Sequence, residues 1–124
     1  MAASISEAEA RVMEALWRES PLSAEQVIAD VAKAQGWTEA TVKTLLNRLL
    51  RKGAIAAKRD GRRYLYRPRL KRPDYVAAES RDLLDRLFGG KLAPLIVHFS
   101  ERQEISEDEI AELKKLIREL DDGR

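Results

Sequence analysis

Apolar residues recur at helical spacing in three successive segments of the first half of the chain. Val12, Met13, Leu16 and Trp17 form one stripe, Val27, Ile28 and Val31 a second, and Val42, Leu45, Leu46 and Leu49 a third. Spacings of three and four residues place each set on one face of a helix. Start and stop signals bound the three segments. Ser6 with Glu9, and Ser23 with Gln26, read as capping boxes, and Thr38 reads as the N-cap of the third helix. Ser20-Pro21, Gly36 and Gly53 are the matching stops, so the third helix is expected to run to about Lys52. Three short helices with short connections make a tri-helical unit whose second and third members resemble a helix-turn-helix. Trp17 and Trp37 are expected in helix packing.

The period then changes from helical to alternating in "AIAAKRDGRRYLYRP", residues 54–68. Asp60-Gly61 is a two-residue hairpin turn, because glycine accepts positive φ at no steric cost. In that register Ala57 opposes Tyr64 and Ile55 opposes Tyr66, all on a face that packs on the helices. Lys58 then opposes Arg63, and Arg59 opposes Arg62, an unfavourable juxtaposition unless an anion such as phosphate neutralises it.

Helical spacing returns after Pro68 and Pro73, which bracket a short linker. A fourth helix is expected over Asp74–Phe88, stopped by Gly89-Gly90. A fifth covers "KLAPLIVHFS" (91–100), with Pro94 tolerated in its first turn. A last helix opens with a Ser106/Glu109 capping box and carries the stripe Ile110, Leu113, Ile117 and Leu120. A segment of ~50 residues is too short to bury so much apolar surface alone. It reads as an arm between subunits, with Leu83, Leu84, Leu87, Leu95, Ile96, Phe99, Leu113 and Ile117 as the dimerisation set. The expected fold is therefore mainly α. An N-terminal winged helix-turn-helix (three helices plus a two-stranded β wing) spans 1–72, and a C-terminal helical dimerisation arm spans 73–124.

Charge separates the same two regions. Residues 1–73 hold 15 Lys/Arg and 8 Asp/Glu, whereas residues 74–124 hold 8 and 13, so +7 and −5 sum to the net +2. Within 38–72 there are 12 basic and 2 acidic residues, a composition suited to a polyanion. Stepping 100° per residue around the third helix, the side opposite Val42 carries Ala40, Thr44, Asn47 and Arg51, with Thr41, Lys43 and Arg48 at its edges. Ala40, Thr41, Lys43, Thr44 and Asn47 are the candidates for base readout in a DNA major groove. Lysine suits guanine, asparagine suits adenine, and small methyl-bearing residues suit the thymine methyl. Thr38, Arg48, Arg51, Lys58, Arg59, Arg62 and Arg63 are the candidates for the phosphate backbone, which positions rather than specifies. Arg51 and Lys52 also complement the C-terminal end of the helix dipole.

Enzyme chemistry finds no support. There is no cysteine, so no thiolate metal site or cysteine nucleophile, and the single histidine, His98, cannot build a metal site alone. Glu107, Asp108 and Glu109 suit the first turn of a helix rather than a cleft. No cofactor and no small-molecule ligand are inferred. The N-terminus lacks the pattern of a signal peptide and no stretch approaches a membrane span, so a cytoplasmic location is expected. The competing reading is a winged-helix protein-interaction module without specific DNA binding. Salt-dependent binding to a palindrome discriminates the two.

Five segments carry a family resemblance: "EAEARVMEALW", "WTEATVKTLLNRLLRKGAI", "GRRYLYRP", "LFGGKLAPLIVHFSE" and "SEDEIAELKKLI". Together, in this order and over nearly the whole chain, they resemble the BlaI/MecI/CopY family of bacterial repressors. The resemblance implies a homodimeric winged-helix repressor on an inverted-repeat operator, dimerised by its C-terminal helices. In the β-lactam-responsive branch a membrane metalloprotease sensor leads to cleavage of the arm at an Asn-Phe step. The matching position here is His98-Phe99. The copper-responsive branch uses a Cys-x-Cys hook, which this chain lacks.

Overall fold

A computed structural model describes residues 4–123. In chain order its elements are α1 (Glu7–Arg18), β1 (Leu22–Ser23), α2 (Ala24–Gln35), α3 (Glu39–Arg51), β2 (Ile55–Asp60), β3 (Arg63–Pro68), α4 (Arg72–Leu87), α5 (Leu92–Glu101) and α6 (Glu107–Asp122). The chain divides into two compact units, the first ending at Val76 and the second starting at Ala77, within α4.

The first unit is built as its caps dictate. Ser6 Oγ accepts from the Glu9 N–H while a Glu9 carboxylate oxygen accepts from the Ser6 N–H, and Ser23 and Gln26 repeat the exchange at α2. Gly36 (φ 70°) and Gly53 (φ 74°) close α2 and α3 in the left-handed conformation. The three apolar stripes meet in one core in which Val12, Met13, Val27, Val42 and Leu49 are fully enclosed. Trp17 and Trp37 pack on its margin.

The sheet departs from expectation in two ways. It has three strands, in the order β1-β3-β2, rather than two. Leu22 pairs with Tyr66 and Ser23 with Leu65, so the residue that caps α2 also forms a sheet edge. Burial of Leu22 in the core draws this two-residue strand onto β3. The hairpin register is also shifted. Ala57 pairs with Tyr66, Lys58 with Leu65, Arg59 with Tyr64 and Asp60 with Arg63, leaving Gly61-Arg62 as the turn. Gly61 takes φ 63° and Arg62 stays at negative φ, the type II′ arrangement with glycine first. An Asp60-Gly61 type I′ turn would instead have forced Asp60 to positive φ.

The correction preserves the faces, because the pairing moves by two residues and the pleat alternates with period two. It abolishes the like-charge pairs Lys58/Arg63 and Arg59/Arg62, so no opposed cations here call for an anion. Asp60 faces Arg63 instead, at 3.5 Å. Tyr66 packs on the core, whereas Tyr64, expected there too, is 49% exposed because it lies farther out along the hairpin.

The second unit holds the remainder of α4, with α5 and α6. α4 begins at Arg72 rather than Asp74 and ends at Leu87 rather than Phe88. Pro73 therefore lies in its first turn, where a missing N–H costs nothing. Ser106 Oγ accepts from the Glu109 N–H at 3.1 Å, but the reciprocal bond is absent, so this is a single cap and not a capping box. Among the described residues of this unit none is buried.

Candidate nucleic-acid interface

The site begins with the cap of α3. Thr38 Oγ1 accepts from the Thr41 N–H at 3.2 Å, and the two threonine hydroxyls lie 3.1 Å apart. The helix they start buries Val42, Leu45, Leu46 and Leu49 completely or nearly so. Its other side is then left entirely in solvent. Ala40, Thr41, Lys43, Thr44, Asn47, Arg48 and Arg51 are all exposed, and after Glu39 the helix has no acid.

Ion pairing sets this face apart from the surface of α1. The exposed arginines of α1 find acids, Arg11 with Glu7 and Arg18 with Asp30, and Glu14 of the same helix pairs with Arg72. Lys43, Arg48 and Arg51 have no such partner among the described residues, and the Asn47 amide bonds to no protein group there. Four polar heads with free donors on one helix face can serve a polyanion with a patterned edge.

The wing is more mixed. Lys58, Arg59, Arg62 and Arg63 are all exposed. Arg59 Nε donates to the Gly61 carbonyl at 3.1 Å and Arg63 faces Asp60, whereas Lys58 and Arg62 are unpaired among the described residues. Two of these cations thus shape the hairpin tip and two are free. A recess of about 160 Å³ at the start of α2 is lined by Ser23, Glu25, Arg63, Tyr64 and Tyr66, which sets Arg63 beside that helix end.

Sequence reasoning passed over one residue and read only part of the role of another. Arg67 is exposed and, by alternation along β3, shares the face of Arg63 and the cross-strand Lys58. The period-two pattern of "RYLYRP" carried that signal. Lys52 is the other. Its ammonium does not simply complement the helix end but donates to Glu9 Oε1 at 2.5 Å and to the Ser4 carbonyl at 2.8 Å. Burial pushes the Glu9 carboxyl upward, but the Lys52 hydrogen bond, the Ser6 hydrogen bonds and the Lys52 charge outweigh it. The net displacement is below the ordinary carboxylate value.

The second unit holds the remaining candidates. Leu83, Leu87, Phe99 and Ile117 are exposed, the last at 59%, while Leu84, Leu95, Ile96 and Leu113 are half-buried. His98 lies against Phe88 and Phe99, with ring centroids 6.1 and 5.6 Å away. No cluster of metal-ligating side chains occurs among the described residues, and no described helix is long and apolar enough to cross a membrane.

A tri-helical core whose last helix presents a free basic face, followed by a basic hairpin, defines a DNA-binding winged-helix protein. The pattern of the penicillinase repressor family matches residues 5–119, and the chain belongs to that family, which comprises transcriptional repressors and not enzymes. The penicillinase repressor of Bacillus licheniformis is 34% identical over 115 residues, covering 93% of this chain and 90% of that protein. The methicillin resistance regulatory protein MecI of Staphylococcus aureus strain N315 is 30% identical over 113 residues, 91% of this chain and 92% of that protein. Among solved structures, the Bacillus licheniformis BlaI monomeric form in complex with the blaP half-operator matches at a TM-score of 0.54. It is 35% identical and covers 60% of this chain and 92% of that one.

Proposed function

We propose that this chain represses transcription as a homodimer bound to an inverted-repeat operator in double-stranded DNA. The observation that carries the proposal is the unneutralised outer face of α3, set opposite a completely buried stripe. Ala40, Thr41, Lys43, Thr44 and Asn47 read base edges. Thr38, Arg48, Arg51, Lys58, Arg59, Arg62 and Arg63 hold the phosphates. The BlaI relative is described as a monomer on a half-operator, and one protomer of this chain is likewise assigned one half-site. The exposed apolar residues of α4, α5 and α6 join two protomers, which converts two weak half-site contacts into one tighter event. The test is selection of bound sites from random duplex DNA. Recovery of a two-fold symmetric sequence supports the proposal, and recovery of no preferred sequence defeats it.

Relief of repression follows from cutting α5 between His98 and Phe99 by a membrane metalloprotease sensor. Both residues are exposed, but they lie inside a helix, and a protease needs its substrate extended. α5 is suited to local unwinding. It has ten residues, no side-chain N-cap and no acid in its first turn, and it follows Gly89-Gly90. Immunoblotting cells before and after β-lactam exposure tests this. Target genes that switch on while the chain stays full length would rule proteolysis out.

A further inference from the structure

Glu9 is the one charged residue buried among those described, at 1% exposure. It is the third residue of α1 and serves there in the capping box with Ser6. That duty does not require a charge, because the neutral Gln26 performs it at α2 with the same geometry. The charge of Glu9 is directed at Lys52, the residue that closes α3, 43 positions along the chain. The Lys52 ammonium also donates to the Ser4 carbonyl, so the stretch leading into α1, the first turn of α1 and the end of α3 converge on one cation. Among the described residues Glu9 Oε2 has no hydrogen-bond partner, and Lys52 and the Ser6 N–H, both on Oε1, hold this carboxylate.

We infer that the Glu9–Lys52 pair is a positioning device for the DNA-reading helix, and that Lys52, though it stands in the most basic stretch of the chain, makes no phosphate contact. The inference rests on the proposed role of α3. Apolar packing of Leu45 and Leu49 attaches α3 to the core, but such contacts are non-directional. A short charge-assisted hydrogen bond adds direction, and a buried partner makes it less sensitive to salt than an exposed pair. Leverage makes direction matter. α3 has 13 residues and is about 20 Å long. A tilt of roughly 10° about its anchored end carries the Thr41 end about 3 Å, more than a hydrogen bond tolerates.

Three variants separate positioning from charge: Lys52→Gln, the double variant Glu9→Gln/Lys52→Gln, and Arg51→Gln as reference. The double variant leaves no stranded buried charge, so it carries the test if Lys52→Gln alone fails to fold by circular dichroism. In it the shorter amide at position 52 leaves the contact to α1 unmade. Affinity for the selected operator and for random duplex is measured across a salt series. Arg51→Gln should weaken both duplexes equally and reduce the salt slope by about one. The position-52 variants should keep the wild-type slope, lose about tenfold on the operator and under about twofold on random DNA. A slope reduced by one in the double variant would make Lys52 a phosphate contact and overturn the inference. Unchanged discrimination between the duplexes in both variants would reduce the pair to a stabilising contact and overturn it too. Failure of the wild-type chain to bind any duplex is a different result, which defeats the DNA-reading function itself.

Discussion

The two units use the same vocabulary of amphipathic helices with opposite outcomes. Up to Val76, three helices and a small sheet converge so that fourteen apolar residues among those described are buried, several of them completely. From Ala77 on, leucines and isoleucines are as well spaced, yet none of the described ones is buried, and Leu87, Ile117 and Leu120 are each more than 60% exposed or close to it. An amphipathic stripe becomes a core only when a second and third stripe face it. The first unit supplies its own. The second leaves its stripes for the second copy that we propose. Stability should therefore be intrinsic in one region and dependent on concentration in the other.

The largest expected effect tests that division directly. Leu49 is fully enclosed, so Leu49→Ala should cost about 2–5 kcal/mol. The loss should be independent of protein concentration and equal in a chain truncated after Val76. Ile117→Ala should behave differently, shifting the monomer–dimer equilibrium and lowering the urea midpoint only where dimer is populated. An Ile117→Ala loss that does not vary with concentration would mean that the second unit closes a core of its own.

The next effect divides the first unit's own surface. Asn47→Ala should cost about 1–3 kcal/mol on the preferred operator and relax sequence preference. Arg62→Ala should weaken all duplexes alike and reduce the salt slope by about one. Matching patterns for the two substitutions on operator and random DNA would erase the distinction between reading helix and gripping wing.

What was legible in the sequence was local. Ser6/Glu9, Ser23/Gln26 and Thr38 mark helix starts because each cap is settled within three residues, and the apolar stripes of α1, α2 and α3 follow from period alone. The outer face of α3 followed by elimination. The hairpin register did not, because Asp60-Gly61 and Gly61-Arg62 are both acceptable turns and both leave Tyr66 on the core-facing side, so the alternating pattern does not separate them. β1 is two residues long and exists through pairing with β3 more than forty residues away. The Glu9–Lys52 pair is equally non-local, and in the sequence each residue has a sufficient local explanation, one as a cap and the other as a helix-end cation.

A smaller effect concerns acid. Glu14 is held below the ordinary carboxylate value by its hydrogen bond from Arg72, and Glu9 is displaced in the same direction. A carboxylate with a depressed folded value contributes stability that is present above its unfolded value, near 4.5, and is lost as pH falls through the folded one. Both groups belong to the first unit, and Glu14 is 39% exposed, which limits its share. Urea midpoints should fall below about pH 4.5 in the truncated chain as in the full one, and Glu9→Gln should flatten the fall. A truncated chain indifferent to acid would place the sensitive groups elsewhere.

The smallest effect arises where the two units share a motif but not a residue. α2 closes with Gly36 N–H bonded to the Lys33 carbonyl and Trp37 N–H to the Ala32 carbonyl, and Gly53 and Ala54 repeat the pattern after α3. After α5, Gln103 N–H bonds to the Ser100 carbonyl and Glu104 N–H to the Phe99 carbonyl, the same Schellman arrangement. The first unit fills the left-handed position with glycine both times. The second fills it with Gln103, at φ 58°, the sole non-glycine residue at positive φ among those described. A side chain there crowds the following carbonyl at a cost of about 1–2 kcal/mol, part of which is recovered because glycine is freer in the unfolded chain. Gln103→Gly should therefore stabilise the α5–α6 turn by about 0.5–1 kcal/mol, and Gly36→Gln should destabilise α2 by a similar amount. At Gly36 no atom lies within 4 Å of an added Cβ, so the cost there is conformational and not steric. Amide exchange of Ser100 and Glu101 reads the first effect, and the urea midpoint of the truncated chain reads the second. The turn also bears on the proteolysis proposed between His98 and Phe99, because an α5 with a firmer end unwinds less readily into an extended substrate. Gln103→Gly should then slow cleavage at that step while leaving operator affinity unchanged. Faster cleavage in the firmer turn would show that the scissile segment is read in a conformation other than an unwound α5.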